Sequence, residues 1–102
     1  MRLFFKNEIF DAYTHAEAGH QALHVYKGMQ GQFPDAPLCF KRAKTWGHLL
    51  DQDKERLIRT ARRLGVKRIV VGREGDSKRQ HIDLCGKPLE RAIKECENVR
   101  KL

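Results

Sequence analysis

The stretch 80-QHIDLCGKPLERAIKECE-97 decides how this chain is read, because its periodicity changes partway along. Up to Cys85 the pattern alternates. Ile82 and Leu84 share one face while His81, Asp83 and Cys85 share the other, which is the two-residue period of a strand. Beyond Gly86, the residues Leu89, Ala92, Ile93 and Cys96 follow the stripe of a helix, and Pro88 falls in its first turn, where a missing N–H is tolerated. A strand that feeds into a helix calls for a sheet with helices packed on it.

The neighbouring segments fit that frame. The run 67-KRIVVGRE-74 is rich in β-branched residues and reads as a further strand, with 75-GDSK-78 as the turn after it. The turn 72-GREGDSK-78 is short enough to set Val70 and Ile82 on adjacent antiparallel strands. Before it, Leu57, Ile58, Ala61 and Leu64 mark a helix that Asp51 or Asp53 can cap and Gly65 can end. In 38-LCFKRAKTWGHLL-50, Trp46, His48 and Leu50 alternate with Thr45, Gly47 and Leu49, as in a strand with apolar groups on both faces. Residues 28–38, GMQGQFPDAPL, have the glycine, proline and aspartate content of a loop. Over 8–27, Ile9, Tyr13, Ala16, His20 and Leu23 form one helical stripe with Gly28 as its stop. RLFF at residues 2–5 suits a strand. The expected architecture is α/β or α+β: a single domain over 1–102, built on a small mixed sheet of about three to four strands.

At 102 residues the chain has room for one core and no second one. No apolar run nears the roughly 18 residues of a membrane span. The opening MRLFFKNEIF lacks the features of a signal or transit sequence, so a soluble, cytoplasmic protein is expected. Cys39, Cys85 and Cys96 are scattered and form no C-x-x-C pair. Their spacing argues against a disulfide framework and a four-thiolate zinc site, and suggests reduced, mostly buried thiols. No cofactor motif stands out.

Lys and Arg number 21 against 13 Asp and Glu, a formal net charge of +8. Such a balance favours polyanionic partners, because counterions released from a phosphate backbone drive binding, although charge can serve solubility alone. The cations gather in three places: Lys41, Arg42 and Lys44; Arg59, Arg62, Arg63, Lys67 and Arg68; and Lys78 with Arg79. Phe33, Phe40 and Trp46 lie near the first group, and aromatics interleaved with cations are what stacking on single-stranded nucleic acid uses. A solvated helix face is the plainer explanation of the second group.

For chemistry, His81 and Asp83 stand about 6.6 Å apart along a strand, close enough to engage one phosphate, metal ion or water. A half-exposed strand would also place polar residues there. His48 sits in an apolar segment directly before a helix, where α/β folds gather ligands, although a buried imidazole bonded to a carbonyl would fit equally well. With His48 and His81 on neighbouring strands, Asp83 could orient one imidazole and the three would form an acid/base cluster. Glu17, His20 and His24 offer an alternative metal set, since histidines four apart on a helix can hold zinc. His20 falls on the apolar stripe, however, which favours core packing.

The runs 47-GHLLDQDKERLIRTARRLGVKRI-69 and 81-HIDLCGKPLERAI-93 together resemble a small bacterial and phage family classed as a domain of unknown function. Its members share a histidine before an Asp-led helix, a Leu-Gly close to that helix, and an H-[FY]-D-[IL] strand followed by basic residues and an alanine-containing helix. His48, Asp51, Leu64, Gly65, His81, Asp83, Leu84 and Ala92 match that pattern, over about half the chain. Ile82 replaces the usual aromatic residue, and MRLFFKNEIF has no counterpart of the family's N-terminal acidic pair. With no activity assigned to the family, the resemblance implies residues rather than a reaction. The function expected is that of a nucleic-acid-binding or nucleotide-handling accessory protein with His48, His81 and Asp83 as its polar cluster. The alternatives are a small phosphoesterase using the histidines as general acid and base, and an interaction module for an acidic protein. No membrane partner is expected.

Overall fold

A computed structural model describes residues 1–29 and 32–98. In chain order they form β1 (Arg2–Phe5), α1 (Ile9–Glu17, entered through a 3-10 turn at Lys6–Glu8), β2 (Ala22–Lys27), α2 (Leu38–Arg42), β3 (Thr45–Leu50), α3 (Lys54–Leu64), β4 (His81–Leu84) and α4 (Gly86–Glu95). The strands lie side by side in the order β1-β2-β3-β4. β1 and β2 are parallel, which requires a crossover, and α1 supplies it. The other two pairings are antiparallel, so the sheet is mixed, as the sequence suggests.

Helices cover both faces. Leu23, Val25, Leu49, Ile82 and Leu84 point to the side where α3 and α4 contribute Leu57, Ala61, Leu64, Leu89 and Ala92. Each such leucine removed from water contributes about 2 kcal/mol. On the other side α1 sets Ala12 and Ala16 against Phe4, Ala22 and Leu50. The helix reaches across only one end of this face. The radius of gyration, 12.6 Å, is that of one compact body.

Of the two aspartates able to start α3, Asp53 is the cap: its carboxylate accepts from the Arg56 N–H at 3.1 Å. Asp51 is wholly buried and takes a two-pronged contact from Arg56 Nε and Nη2, both at 2.7 Å. Gly65 ends the helix.

Four expectations are corrected. The segment 8–27 is not one helix but α1 followed by β2. Gly19 breaks it at φ 96°, a left-handed conformation that side chains disfavour. The apolar stripe nevertheless runs on in the sequence, because Ala22, Leu23, His24 and Val25 are all buried: β2 is covered on both faces and shows no alternation. Next, 67-KRIVVGRE-74 is not a strand. It lies along the edge of β4 and pairs only through Gly72 and His81, in a register that would set Val71 rather than Val70 opposite Ile82. Val70 is exposed, so nothing rewards a longer ladder. The C-terminal helix, expected over 87–102, ends at Glu95, and residues 99–102 lie outside the described residues.

The thiols are the fourth correction. Cys39 and Cys85 form a disulfide with their Cα atoms 6.4 Å apart, while Cys96 is free and buried. The bond ties α2 to the start of α4.

Candidate functional site

The strand register builds the site. Phe4, His24, His48 and Asp83 occupy one row across all four strands, and Leu50 stands opposite His81. Residues of this row and its neighbours on alternate positions share one sheet face. α1 covers its Phe4 end. At the other end lie Tyr26, Trp46, His48, His81 and Asp83. The loop after β2 and α2 rise around them to enclose a cavity of about 570 Å³, with Phe33, Phe40, Arg68 and Val70 also in its walls.

His48, His81 and Asp83 therefore meet, although they come from β3 and β4. The His48 and His81 rings are edge to face with centroids 4.7 Å apart. Asp83 Oδ1 lies 3.3 Å from His48 Nε2 and 3.5 Å from His81 Nε2. The Tyr26 hydroxyl is 2.9 Å from His48 Nε2. His81 Nδ1 donates to the Arg79 carbonyl at 2.7 Å. Gly72 backs the His81 ring so closely that a Cβ there would come within 2.7 Å of it.

Burial shapes the electrostatics. It drives the His48 pKa down to about 3, aided by the neighbouring His81 and His24, so this imidazole is neutral. The Tyr26 hydroxyl is pushed upward by burial and by Asp83, and stays protonated. Asp83 is half-exposed, yet its place at the cavity floor removes enough water to raise its pKa, while His81 pulls the other way. Among the described residues, His48, His81 and Asp83 are the cluster able to hold a metal ion, with one ligand atom from each lying within 4.8 Å of the others.

The alternative metal set is dispersed. His24 lies in β2 and its Nε2 donates to the Lys6 carbonyl at 2.7 Å. His20 stacks on His15 at 4.9 Å, and Glu17 accepts from the Ser77 hydroxyl. The helix that was to align them stops before the first histidine. His20 is also exposed rather than packed in the core.

The basic residues divide among surfaces. Arg59, Arg62 and Arg63 lie on the outer side of α3, in the layer opposite the cluster, and Arg63 pairs with Glu95. Lys67 is exposed just beyond that helix, whereas Arg68 lines the cavity. Lys41 and Arg42 end α2, with Lys44 shortly after. Lys78 and Arg79 precede β4, and Arg79 pairs with Asp76 at 3.0 Å. Trp46 is no surface platform: it is buried and its indole N–H donates to the Phe40 carbonyl at 3.0 Å.

Tyr26 is the cavity residue that the sequence reading misses, since a helix over 8–27 hides its strand position. The clue lies in Val25 and Tyr26 together, a β-favouring pair after the Gly19 stop signal. Compared with known proteins, the chain matches no family model, no curated protein and no solved structure. Among the described residues no helix is long and apolar enough to cross a membrane.

Proposed function

We propose that the cavity binds a nucleotide-type ligand and that His48, His81 and Asp83 promote hydrolysis of its phosphoester. The supporting observation is that one cavity combines aromatic walls, Arg68 and the cluster. Aromatic faces stack a base, a guanidinium matches a phosphate, and a convergent group of imidazoles and carboxylate moves protons. With its Nδ1 hydrogen held by Arg79, His81 offers Nε2 to take a proton from the attacking water. Asp83 steadies the imidazolium that results, and the P–O bond to the leaving alcohol breaks as that proton passes on. Neutral His48 and protonated Tyr26 provide polar contacts to the phosphate oxygens and the leaving group.

The basic side of α3 is in the opposite sheet layer from the cavity, so a single short ligand does not engage both. A nucleic-acid strand bound along α3, or an acidic protein there, is a separate reading. The net charge of +8 favours it, and a steep loss of affinity with salt would identify the strand.

Trp46 is the chain's one tryptophan, so its fluorescence reports the cavity directly. Adenosine monophosphate should quench or shift it saturably, ribose phosphate should do so more weakly, and Arg68→Ala should weaken the nucleotide at least tenfold. Release of p-nitrophenol from its phosphate mono- and diesters should fall in His81→Gln. Absence of any saturable nucleotide response, or an Arg68→Ala variant that binds like the parent, would reject the reading.

A further inference from the structure

Lone pairs crowd the cavity floor. A carbonyl oxygen only accepts, so the 2.7 Å contact with Arg79 puts the His81 proton on Nδ1 and leaves Nε2 facing the cluster as an acceptor. His48 Nε2 faces the same point, 2.9 Å from the Tyr26 hydroxyl, and with its proton on Nδ1 it is an acceptor too. Asp83 Oδ1 completes the group at 3.3 and 3.5 Å. Three electron-pair donors thus converge from two adjacent strands of a rigid sheet, and a cation between them relieves their mutual repulsion.

We propose that His48, His81 and Asp83 hold one divalent transition-metal cation through two imidazole nitrogens and one carboxylate oxygen. Two of the three spacings already agree with this. Ligands bonded at about 2.1 Å in a tetrahedron lie about 3.4 Å from one another, close to both nitrogen-to-oxygen separations, and the ligand atoms as a group lie within 4.8 Å, so binding needs the two imidazoles only to draw closer. The donor set selects the class of ion: two imidazoles suit zinc, cobalt, nickel or iron(II), whereas magnesium and calcium prefer oxygen alone. The His81–Arg79 hydrogen bond is the outer support that fixes a ligating imidazole in its tautomer and orientation. Three protein ligands leave a coordination position open, and here it faces the cavity beside Tyr26, as in catalytic rather than structural sites. A bound ion would take over the lone pair of His48 Nε2 and release the Tyr26 hydroxyl toward whatever fills that position. The ion and the proton-transfer role claim the same His81 Nε2 lone pair, so a bound ion replaces His81 as the base of the phosphoester reading; the site stands on ligand geometry, whether or not a nucleotide binds.

The test uses the full chain without a histidine tag, stripped with a chelator and titrated with zinc chloride alone by calorimetry, then with cobalt(II) by visible absorption. The expected result is one ion per chain at micromolar affinity or tighter, a raised melting temperature, and cobalt bands typical of low coordination number. His81→Gln and Asp83→Asn should each weaken zinc by more than the roughly 10- to 100-fold that loss of a supporting partner brings. His20→Gln, altering a ring that stacks on His15, should leave the affinity unchanged. Circular dichroism checks folding, and if His81→Gln fails to fold, Asp83→Asn at its half-exposed position decides. No stoichiometric binding, or binding indifferent to Asp83→Asn, would overturn the proposal. Because no nucleotide is present, failure here and failure of nucleotide binding are separate results.

Discussion

Cys96 shows what burial does to one side chain. Its thiol lies in the core cluster of α3 and α4 and donates to the Ala92 carbonyl at 3.3 Å. Burial pushes its pKa up to about 11, above the ordinary 9.0. The raised value means the folded protein keeps its proton while the unfolded chain loses it, so this contribution is intact below pH 9 and declines between pH 9 and 11. At pH 10 the loss is about 1.4 kcal/mol, one pKa unit's worth. Urea denaturation at pH 8 and pH 10 should therefore show a larger decline for the parent than for Cys96→Ala, and equal declines would refute the assignment. At this scale the sequence was informative: an apolar setting for Cys96 was legible from its helical stripe. The pairing of Cys39 with Cys85 was not, because it depends on what the fold brings beside each sulfur.

Among the elements, the junction of β3 and α3 is held by Arg56. Its guanidinium reaches the buried Asp51 with two nitrogens and donates to the Gly19 carbonyl at 2.9 Å, so one side chain joins the end of β3, the start of α3 and the turn before β2. Removing it leaves a carboxylate at 0% exposure with only the Asp53 N–H for a partner. Arg56→Ala should cost about 3 kcal/mol or more in denaturant midpoint measurements, and Arg56→Lys should recover little, because an ammonium cannot reproduce the fork. A loss under about 1 kcal/mol would mean that water replaces the guanidinium. Elements with a clear period and a stop signal, namely α3 and β4, were readable from sequence, as was the start of α4. β2 was not, since a strand buried on both faces lacks the alternation that marks one. The stretch around Val70 has strand composition but no neighbour to pair with beyond Gly72.

For the whole molecule, the Cys39–Cys85 bond closes the chain around the cavity, joining residues 46 apart in sequence. A loop of that length gives a stabilisation of about 4 kcal/mol in the chain-entropy estimate. The bond also anchors α2, whose Phe40 carbonyl receives the Trp46 indole N–H. Cys39→Ser should thus lower stability by up to that amount and alter Trp46 fluorescence as the wall loosens. A variant with unchanged stability and emission would show that packing alone holds α2 in place.

The sequence by itself determined the mixed α/β character, the limits of α3, the start of α4, and the alternation that puts His81 and Asp83 on one face of β4. These features depend on neighbours within a few residues, where periodicity, caps and turn chemistry act. Tertiary structure alone decided that His48 stands directly opposite Asp83, that Tyr26 joins them, and that α1 stops short so the loop and α2 can enclose a cavity. Those facts follow from strand order and register, which arise when hydrophobic faces from distant segments are buried together. No local pattern specifies which strand will lie beside which.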